Sequence, residues 1–292
     1  MFNIYRKGII LAGGYGTRLY PITRAVSKQL LPVYDKPMIY YALTSLMLAS
    51  IREILIITTP DSSDLYKNLL GSGEKFGIQI DYAIQKTPDG LADAFLIAEK
   101  FVANHHSALI LGDNLFHVEN FSRKMDNACN QKQGCSIFVY RVSDPERYGI
   151  VELDSNNKIT NIVEKPSKPK NNMAVTGLYF YDATVLERVK QLSVSPRGEL
   201  EITDLNKSYL KEDQLNYQLL SRGSVWLDTG TVDSLHEASS YIRTIEKRQG
   251  LKVGCPEEIA WRLGWIDDNK LEYLASNISN SGYGNYLLSL LS

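Results

Sequence analysis

A short apolar run that ends in three closely spaced glycines constrains the fold of this chain more than any other feature. Residues 8–12 are predicted to form a buried strand, and Gly13, Gly14 and Gly16 follow it almost directly. Glycine accepts positive φ angles and has no Cβ, so such a backbone can approach a bulky anion closely. Its N–H groups would point at phosphate oxygens, and a helix starting just after the loop would add a favourable dipole. A tight strand–helix turn without a ligand is the alternative.

The loop matches neither of the two commonest phosphate-binding motifs. A P-loop ends in Gly-Lys-Ser or Gly-Lys-Thr, whereas Gly16 precedes Thr17 and Arg18. The dinucleotide motif Gly-x-Gly-x-x-Gly does not fit either. A second, proline-containing loop carries Lys28 and Lys36. A lysine near an arginine-bearing glycine turn suits a polyphosphate, which makes Lys28 a candidate ligand, whereas Lys36 is expected to be a solvated charge.

Apolar runs and helical stretches alternate in the first part of the chain. Strands are predicted at 8–12, 53–58, 80–84 and 108–112, and helices at 37–49, 64–70 and 91–104. This alternation indicates a parallel sheet with right-handed crossovers. From residue 135 the strands have short connections, including a hairpin turn at 154–157, so antiparallel strands are expected there. From about residue 233 the sequence is typical of helices.

These patterns predict an α/β fold, Rossmann-like, with a mixed and mostly parallel central sheet flanked by helices. We expect one catalytic domain at residues 1–240. A helical C-terminal appendage is expected at residues 241–292, where it would serve assembly and a possible regulatory site.

Two acidic residues follow predicted strands. Asp113 comes after 108–112, and Asp228 ends an apolar segment that leads into a turn. Ligands of such sheets bind at the carboxyl ends of strands, so both carboxylates could reach one crevice. Mg²⁺ takes one or two carboxylates and completes its coordination with phosphate oxygens and water. The pair is therefore a candidate metal site, although each residue alone would also fit a helix cap or a turn.

Longer stretches of the sequence resemble the sugar nucleotidyltransferases. The motifs that carry the resemblance lie at 11–19, 28–33, 36–39, 85–92, 111–114, 144–152, 164–166, 175–181, 197–204 and 226–231. They are most similar to the members that join dTTP to α-D-glucose 1-phosphate and release pyrophosphate. In that branch the reaction is the first step toward dTDP-rhamnose and other deoxysugars. The resemblance spans essentially the whole chain, including residues 250–260.

The resemblance implies a catalytic set of five charged residues. Arg18 and Lys28 would bind the triphosphate, and Lys165 would bind the sugar phosphate. Asp113 and Asp228 would hold Mg²⁺, the cofactor that the family uses.

The resemblance also implies positions that bind each substrate. The glutamine amide at 85 has the donor and the acceptor needed for a pyrimidine edge, and Glu164 could accept hydrogen bonds from sugar hydroxyls or instead pair with Lys165. The nucleotide-binding positions are Leu11, Gly13, Gly14, Gly16, Thr17, Arg18, Lys28, Gln29, Gln85, Pro88, Gly90 and Asp113. Those for the sugar phosphate are Asn114, Tyr148, Gly149, Glu164, Lys165 and Val175.

The chain departs from the family pattern in one place. After Phe116, relatives usually have an aromatic residue and then glycine, whereas this chain has His117 and Val118. In relatives this neighbourhood belongs to a second nucleotide site for feedback inhibition. The matching regulatory positions here are Arg222, Glu258, Ile259 and Arg262. The side chains of Val118, Ser122 and Arg123 predict intact catalysis with weakened or altered feedback by dTDP-sugars.

Composition excludes several other classes of function. The formal net charge is −1, so no nucleic-acid or membrane surface is expected. The three cysteines lack metal-ligand spacing and suit reduced thiols in a cytoplasmic protein, and no signal peptide is expected because Met1 leads directly into the first strand. The family resemblance implies a homotetramer built as a dimer of dimers. Two alternatives stay open: a relative that uses another nucleotide such as UTP, or a catalytically silent nucleotide-sugar sensor.

Overall fold

The computed structural model describes residues 4–292, so the expectation about Met1 lies outside the described residues. The strands are β1 (Arg6–Ala12), β2 (Pro32–Val33), β3 (Lys36–Pro37), β4 (Glu53–Thr58), β5 (Gln79–Ile84), β6 (His106–Leu111), β7 (Asn114–His117), β8 (Cys135–Arg141), β9 (Gly149–Leu153), β10 (Ile159–Glu164), β11 (Met173–Tyr181), β12 (Leu215–Leu219) and β13 (Val225–Asp228). The helices are α1 (Ile39–Leu48), α2 (Ser63–Leu70), α3 (Asp93–Ile97), α4 (Glu99–Val102), α5 (Phe121–Cys129), α6 (Val185–Lys190), α7 (Ile202–Leu210), α8 (Val232–Gln249), α9 (Pro256–Arg262), α10 (Asp268–Ser276) and α11 (Gly282–Ser289).

The described strands form a central sheet of nine. Its order is β10-β9-β11-β6-β1-β4-β5, with β8 beside β11 and β12 beside β8. Strands β1, β4, β5 and β6 run parallel to one another. Strand β11 runs antiparallel to β6, β8 and β9, and β9 and β10 form an antiparallel hairpin. The predicted mixed α/β sheet is confirmed, and β11 joins its parallel part to its antiparallel part.

Side chains of the central strands are buried on both faces of the sheet. On one face, Ile10 and Ile56 pack in the cluster that contains helix α1, whose residues are almost all buried. On the other face, Ile9 and Ile57 pack in the cluster that contains Phe95 of α3. Each fully buried side chain of this kind contributes about 2 kcal/mol of transfer free energy. This double burial explains why these strands are continuous apolar runs rather than alternating ones.

A second, two-stranded sheet lies next to the carboxyl end of β6. Strand β7 starts directly after Asp113, pairs with β13 and places Asp228 opposite Asn114. Helix α8 then begins behind a capping box, in which Thr231 and Ser234 satisfy each other's backbone N–H groups. The small sheet therefore brings two acidic residues together that are separated by more than a hundred positions in the sequence.

The expectation that Lys36 is a solvated charge is wrong. Its side chain is about 1% exposed, and its Nζ lies 2.8 Å from Oε1 of Glu246 near the end of α8. Lys252 pairs with the second oxygen of Glu246 and with Asp35. A lysine can be buried when carboxylates neutralise it, and here the partner lies 210 positions away. These four residues, the 35/36/246/252 ion cluster, attach the C-terminal helices to the β2–β3 hairpin.

Helix α8 runs across residue 240, so the expected domain boundary falls within a continuous helix, and the division stays a prediction. Helices α9, α10 and α11 follow it, and α9 packs on α1. Within residues 4–292, no helix is both long and apolar enough to cross a membrane.

Candidate active site

The glycine loop leaves β1 with a backbone that a residue with a Cβ would adopt poorly. Gly14 and Gly16 have φ angles of 92° and 58°. The Thr23 hydroxyl donates a 2.8 Å hydrogen bond to the carbonyl of Gly16, which holds the loop closed. Only a three-residue 3-10 helix, Thr17–Leu19, follows the loop, so little helix dipole is available. An anion bound here would therefore depend on the N–H groups and on Arg18.

Arg18 extends from this loop over Gly230. One guanidinium nitrogen lies 3.3 Å from the position that a Cβ on Gly230 would take. The side chain lines a cavity of about 540 Å³ at the carboxyl end of the sheet. A Cβ at 230 would push the guanidinium aside by a few tenths of an ångström, so this glycine leaves the arginine its present position.

Lys28 and Asp113 form an ion pair at the edge of the cavity. Lys28 is buried in a short 3-10 turn, Lys28–Leu30, and its Nζ lies 2.5 Å from Oδ2 of Asp113. The other carboxylate oxygen accepts a 2.9 Å hydrogen bond from the Asn114 amide. Burial alone would raise the pKa of the Asp113 carboxyl, but the Lys28 ammonium and the hydrogen bonds outweigh it and lower the pKa. Asp113 is thus held as a carboxylate.

Asp228 lines the same cavity from the end of β13. Arg147 donates to its Oδ2 at 2.9 Å, and the Tyr148 hydroxyl donates to its Oδ1 at 3.1 Å. Arg147 also binds Asp144 at 2.6 Å. Burial raises the pKa of Asp228, and the neighbouring guanidinium offsets only part of that effect.

All six sugar-phosphate positions predicted from the sequence line this cavity. Register pairs Gly149, at the start of β9, with Glu164, at the end of β10, because the two strands form a hairpin. Lys165 follows with a left-handed φ of 41° and a half-exposed ammonium. The carbonyl oxygen of the Asn114 amide already accepts hydrogen bonds from Gly177 N and Trp226 Nε1. The predicted residues at this cavity are Arg18, Asp113, Asn114, Tyr148, Gly149, Glu164, Lys165, Val175 and Asp228.

The predicted base-binding positions form a separate group beside the glycine loop. Gln85 is buried, and its Nε2 donates a 3.0 Å hydrogen bond to Asp93. Its Oε1 lies 2.7 Å from where a Cβ on Gly13 would be. Gly90 sits against the backbone of Leu200 with a φ of 111°. The amide of Gln29 accepts hydrogen bonds from Ser27 and Tyr66, so it is held inside the protein.

The other nucleotide-side positions do not line the 540 Å³ cavity. Its lining residues leave out five positions next to or within the glycine loop and five more that follow later in the chain. These ten are Leu11, Gly13, Gly14, Gly16 and Thr17, with Lys28, Gln29, Gln85, Pro88 and Gly90.

The predicted regulatory residues are only partly brought together. Arg262 pairs with Glu258 at 2.7 Å within α9, and the Tyr286 hydroxyl donates to the other oxygen of Glu258. Ile259 lies between them in the same helix and packs on the core. Arg222 lies in the exposed turn between β12 and β13, and within residues 4–292 it shares no hydrogen bond or ion pair with α9. A regulatory site at these residues stays a prediction.

Among the cavity residues that received no individual role from the sequence, three contact the predicted site residues. Arg147 holds Asp228, Arg197 lies 3.7 Å from Glu164, and Thr203 donates a hydrogen bond to Glu164. All three lie inside motifs that carry the family resemblance, which was the available signal. Their contacts depend on pairings between distant segments, which spacing along the chain does not reveal.

A glycine loop lies at the carboxyl edge of the mixed sheet, and cations face two carboxylates in the cavity. These features are typical of an enzyme that acts on phosphate esters. The family model for nucleotidyl transferases matches residues 7–245. The chain belongs to that family and is a nucleotidyltransferase, as its sequence motifs predicted.

Relatives match almost the whole chain. A protein of Neisseria meningitidis serogroup A is 56% identical over 98% of this chain and 99% of its own length. A Mycobacterium tuberculosis protein is 52% identical over 98% of this chain and 99% of its own. Both are named glucose-1-phosphate thymidylyltransferase.

Solved structures share the fold. A Bacillus anthracis protein in complex with sucrose is 44% identical, with a TM-score of 0.76, and the match covers 82% of this chain and 95% of that one. A UDP-glucose pyrophosphorylase in complex with UDP-glucose is 26% identical, with a TM-score of 0.73, covering 83% of this chain and 100% of that one.

Proposed function

We propose that this enzyme transfers a thymidylyl group from dTTP to α-D-glucose 1-phosphate. An oxygen of the sugar phosphate attacks the α-phosphorus of dTTP, the bond from that phosphorus to the bridging oxygen breaks, and pyrophosphate leaves with the electron pair. The products are dTDP-glucose and pyrophosphate. The observation that carries the proposal is the single cavity in which Arg18, Lys165, Asp113 and Asp228 converge.

Such a reaction requires positioning and charge neutralisation rather than a covalent nucleophile. Arg18 and Lys28, near the glycine loop, would bind the triphosphate and stabilise charge as the leaving group departs. Lys165 and Arg197, which line the same cavity close to Glu164, would bind the sugar phosphate. The cations of both sets would offset the repulsion between the two polyanions.

The two acidic residues fit a magnesium site. Asp113 precedes β7 and Asp228 ends the neighbouring β13, both are partly exposed, and their side chains supply the oxygen donors that Mg²⁺ prefers. A bound Mg²⁺ would supply Lewis-acid stabilisation of phosphate charge. Lys28 and Arg147 neutralise the same carboxylates.

Selection of the base would rest on Gln85. Because its Nε2 is engaged with Asp93, its carbonyl oxygen remains as an acceptor beside Gly13. Thymine and uracil present an N3–H to such an acceptor, whereas cytosine does not. This geometry favours a pyrimidine with a protonated N3 and makes UTP the second candidate, in agreement with the similarity to a UDP-glucose pyrophosphorylase.

The test is pyrophosphate release from glucose 1-phosphate, Mg²⁺ and each of dTTP, UTP, CTP, ATP and GTP. We expect the highest kcat/KM with dTTP. Arg18→Ala should lower kcat about 100-fold, whereas Arg24→Ala, an exposed arginine in the next turn, should leave it within twofold. A preference for UTP would support the second candidate. Binding of dTTP without release from any nucleotide would instead support a silent sensor.

The assembly and cellular role are extensions of this proposal. The C-terminal helices bury Leu271 and Leu287 within the protomer but leave Leu263, Tyr273 and Ile278 between 40% and 62% exposed. These apolar side chains support a homotetramer, a dimer of dimers. Three buried free thiols agree with a reducing cytoplasm. The product would enter the synthesis of dTDP-rhamnose or another deoxysugar.

A further inference from the structure

The Glu164 carboxylate is held from one side only. Its Oε2 accepts a hydrogen bond of 2.5 Å from the Thr203 hydroxyl. Among residues 4–292, the nearest charged partners of its Oε1 are Arg197 at 3.7 Å and Lys165 at 3.8 Å. One oxygen is thus fixed by a neutral donor, and the other remains available on the cavity side.

Thr203 is placed for this contact by its own helix. It is the second residue of α7, is 3% exposed and lines the cavity. The N-cap residue, Glu201, accepts hydrogen bonds from Arg197 and Ser195, which fixes the start of the helix. Threonine hydroxyls in helices often bond back to a carbonyl of the previous turn. The Thr203 hydroxyl instead donates its hydrogen bond to Glu164.

Gly149 leaves room for the hydrogen bond between Glu164 and Thr203. A Cβ on Gly149 would lie 3.3 Å from both Oε2 of Glu164 and Oγ1 of Thr203. Such a contact is tight enough to push either group aside. The hydrogen bond between Thr203 of α7 and Glu164 of β10 therefore lies against Gly149 of β9, at the wall of the cavity.

We infer that Thr203 is a positioning residue that fixes the carboxylate of Glu164 for recognition of the sugar hydroxyls. The inference rests on the proposed function and adds a determinant of sugar binding to it. Without the hydroxyl, Glu164 could turn toward Arg197 and Lys165 and form closer ion pairs, which would withdraw it from the sugar. None of the predicted nucleotide-side residues shares a described hydrogen bond or ion pair with Glu164 or Thr203, so nucleotide binding should not depend on this bond.

The experiment compares Thr203→Val and Thr203→Ser with the unaltered enzyme. Valine keeps the branched shape and removes the hydroxyl, whereas serine keeps the hydroxyl. Because hydrogen bonds to charged groups are strong, we expect valine to raise the KM for glucose 1-phosphate about tenfold. The KM for dTTP should stay within twofold, kcat should fall less than about threefold, and serine should restore most of the sugar affinity.

Thr44→Val is the matched control. This threonine is also buried, lies in helix α1 and donates its hydroxyl to the backbone carbonyl of Tyr40, and it is not among the residues that line the cavity. The same chemical change there should leave both KM values within twofold. Equal effects of valine at 44 and at 203 would overturn the inference, because they would indicate a general response to lost polarity.

A double-mutant cycle with Glu164→Gln tests whether Thr203 acts through Glu164. In the Glu164→Gln background, Thr203→Val should change sugar affinity by less than about twofold, because the two groups then no longer act as a unit. Additive effects, or an unchanged KM for glucose 1-phosphate in Thr203→Val alone, would overturn the inference while leaving the proposed function intact. If Thr203→Val does not fold, the same cycle is measured with Thr203→Ala. An unaltered enzyme that does not use glucose 1-phosphate would overturn the proposed function, and the inference with it.

Discussion

In this protein, partner residues determine the charge of individual ionisable groups and what those groups contribute to the stability of the fold. Asp113 is held by Lys28 and Asn114, and Asp228 is held by Arg147 and Tyr148. Each carboxylate thus has a donor on both of its oxygens before any ligand binds. Removal of one partner from such a pair leaves the other charge poorly compensated, so substitutions here affect folding as well as chemistry.

Asp113→Asn is expected to impair both catalysis and folding stability. It removes a candidate metal ligand, so pyrophosphate release should fall about 1000-fold. It also leaves the buried Lys28 ammonium without its carboxylate, which should cost about 3 kcal/mol of unfolding free energy. Urea denaturation and the release assay measure the two effects. Asp64→Asn, at an exposed surface pair, should change unfolding free energy by less than about 0.5 kcal/mol.

Glu257 gives the protein a pH-dependent term in its stability. Burial raises the pKa of its carboxyl above the ordinary 4.5, although the Tyr283 hydroxyl donates to it at 2.5 Å. The folded state then binds more protons than the unfolded state. From about pH 4.5 up to the raised pKa, this residue should therefore lower stability as pH increases. Glu257→Gln should flatten that part of the pH profile in thermal melts, and an unchanged slope would contradict the assignment.

Secondary-structure elements that carry the motifs were largely predictable. Strand β4 occupies the predicted residues 53–58, because an apolar run bounded by polar residues determines both ends. The predicted helix at 91–104 is instead α3 and α4, separated where Ala98 has a ψ of 6°. Contacts between residues far apart in the sequence were not predictable. The sequence around Lys36 does not indicate its ion pair with Glu246, because Glu246 lies in α8.

The 35/36/246/252 ion cluster joins two elements and should contribute measurably to folding. Lys36→Met leaves Glu246 buried with one cation fewer, so unfolding free energy should fall by about 3 kcal/mol. Adding Glu246→Leu should recover part of that loss, because the unpaired carboxylate is then gone. Lys67→Met, at an exposed pair, is the control and should cost less than about 0.5 kcal/mol. Equal losses at 36 and 67 in urea denaturation would contradict the role of the cluster.

At the scale of the whole molecule, the cavity lies where the two parts of the sheet meet. Arg18 and Asp113 come from the parallel part, whereas Gly149, Glu164 and Lys165 come from the β9–β10 hairpin. The mixed topology was predictable from the change in connection length. The position of the cavity at the junction was not, because it depends on the pairing of β11 with both parts.

The exposed apolar residues of the C-terminal helices give the prediction for assembly. Static light scattering at micromolar concentration should report four times the protomer mass. Tyr273→Glu, which places a charge on the exposed part of α10, should shift the mass toward dimer or monomer. Glu272→Lys, the neighbouring exposed charge, is the control and should not. A monomeric mass for the unaltered protein would contradict the proposed tetramer.

Strand β11 runs along the cavity as one continuous stretch of backbone, with β6 beside its second half and β9 beside its first. Under the proposed function, this strand would set the spacing between the two substrates, and its own Val175 lines the cavity. The hairpin at 149–164 is at the edge of the sheet, so its sequence can change without repacking the parallel core. The acceptor sugar can therefore diverge among descendants of such a chain while the nucleotide donor stays the same.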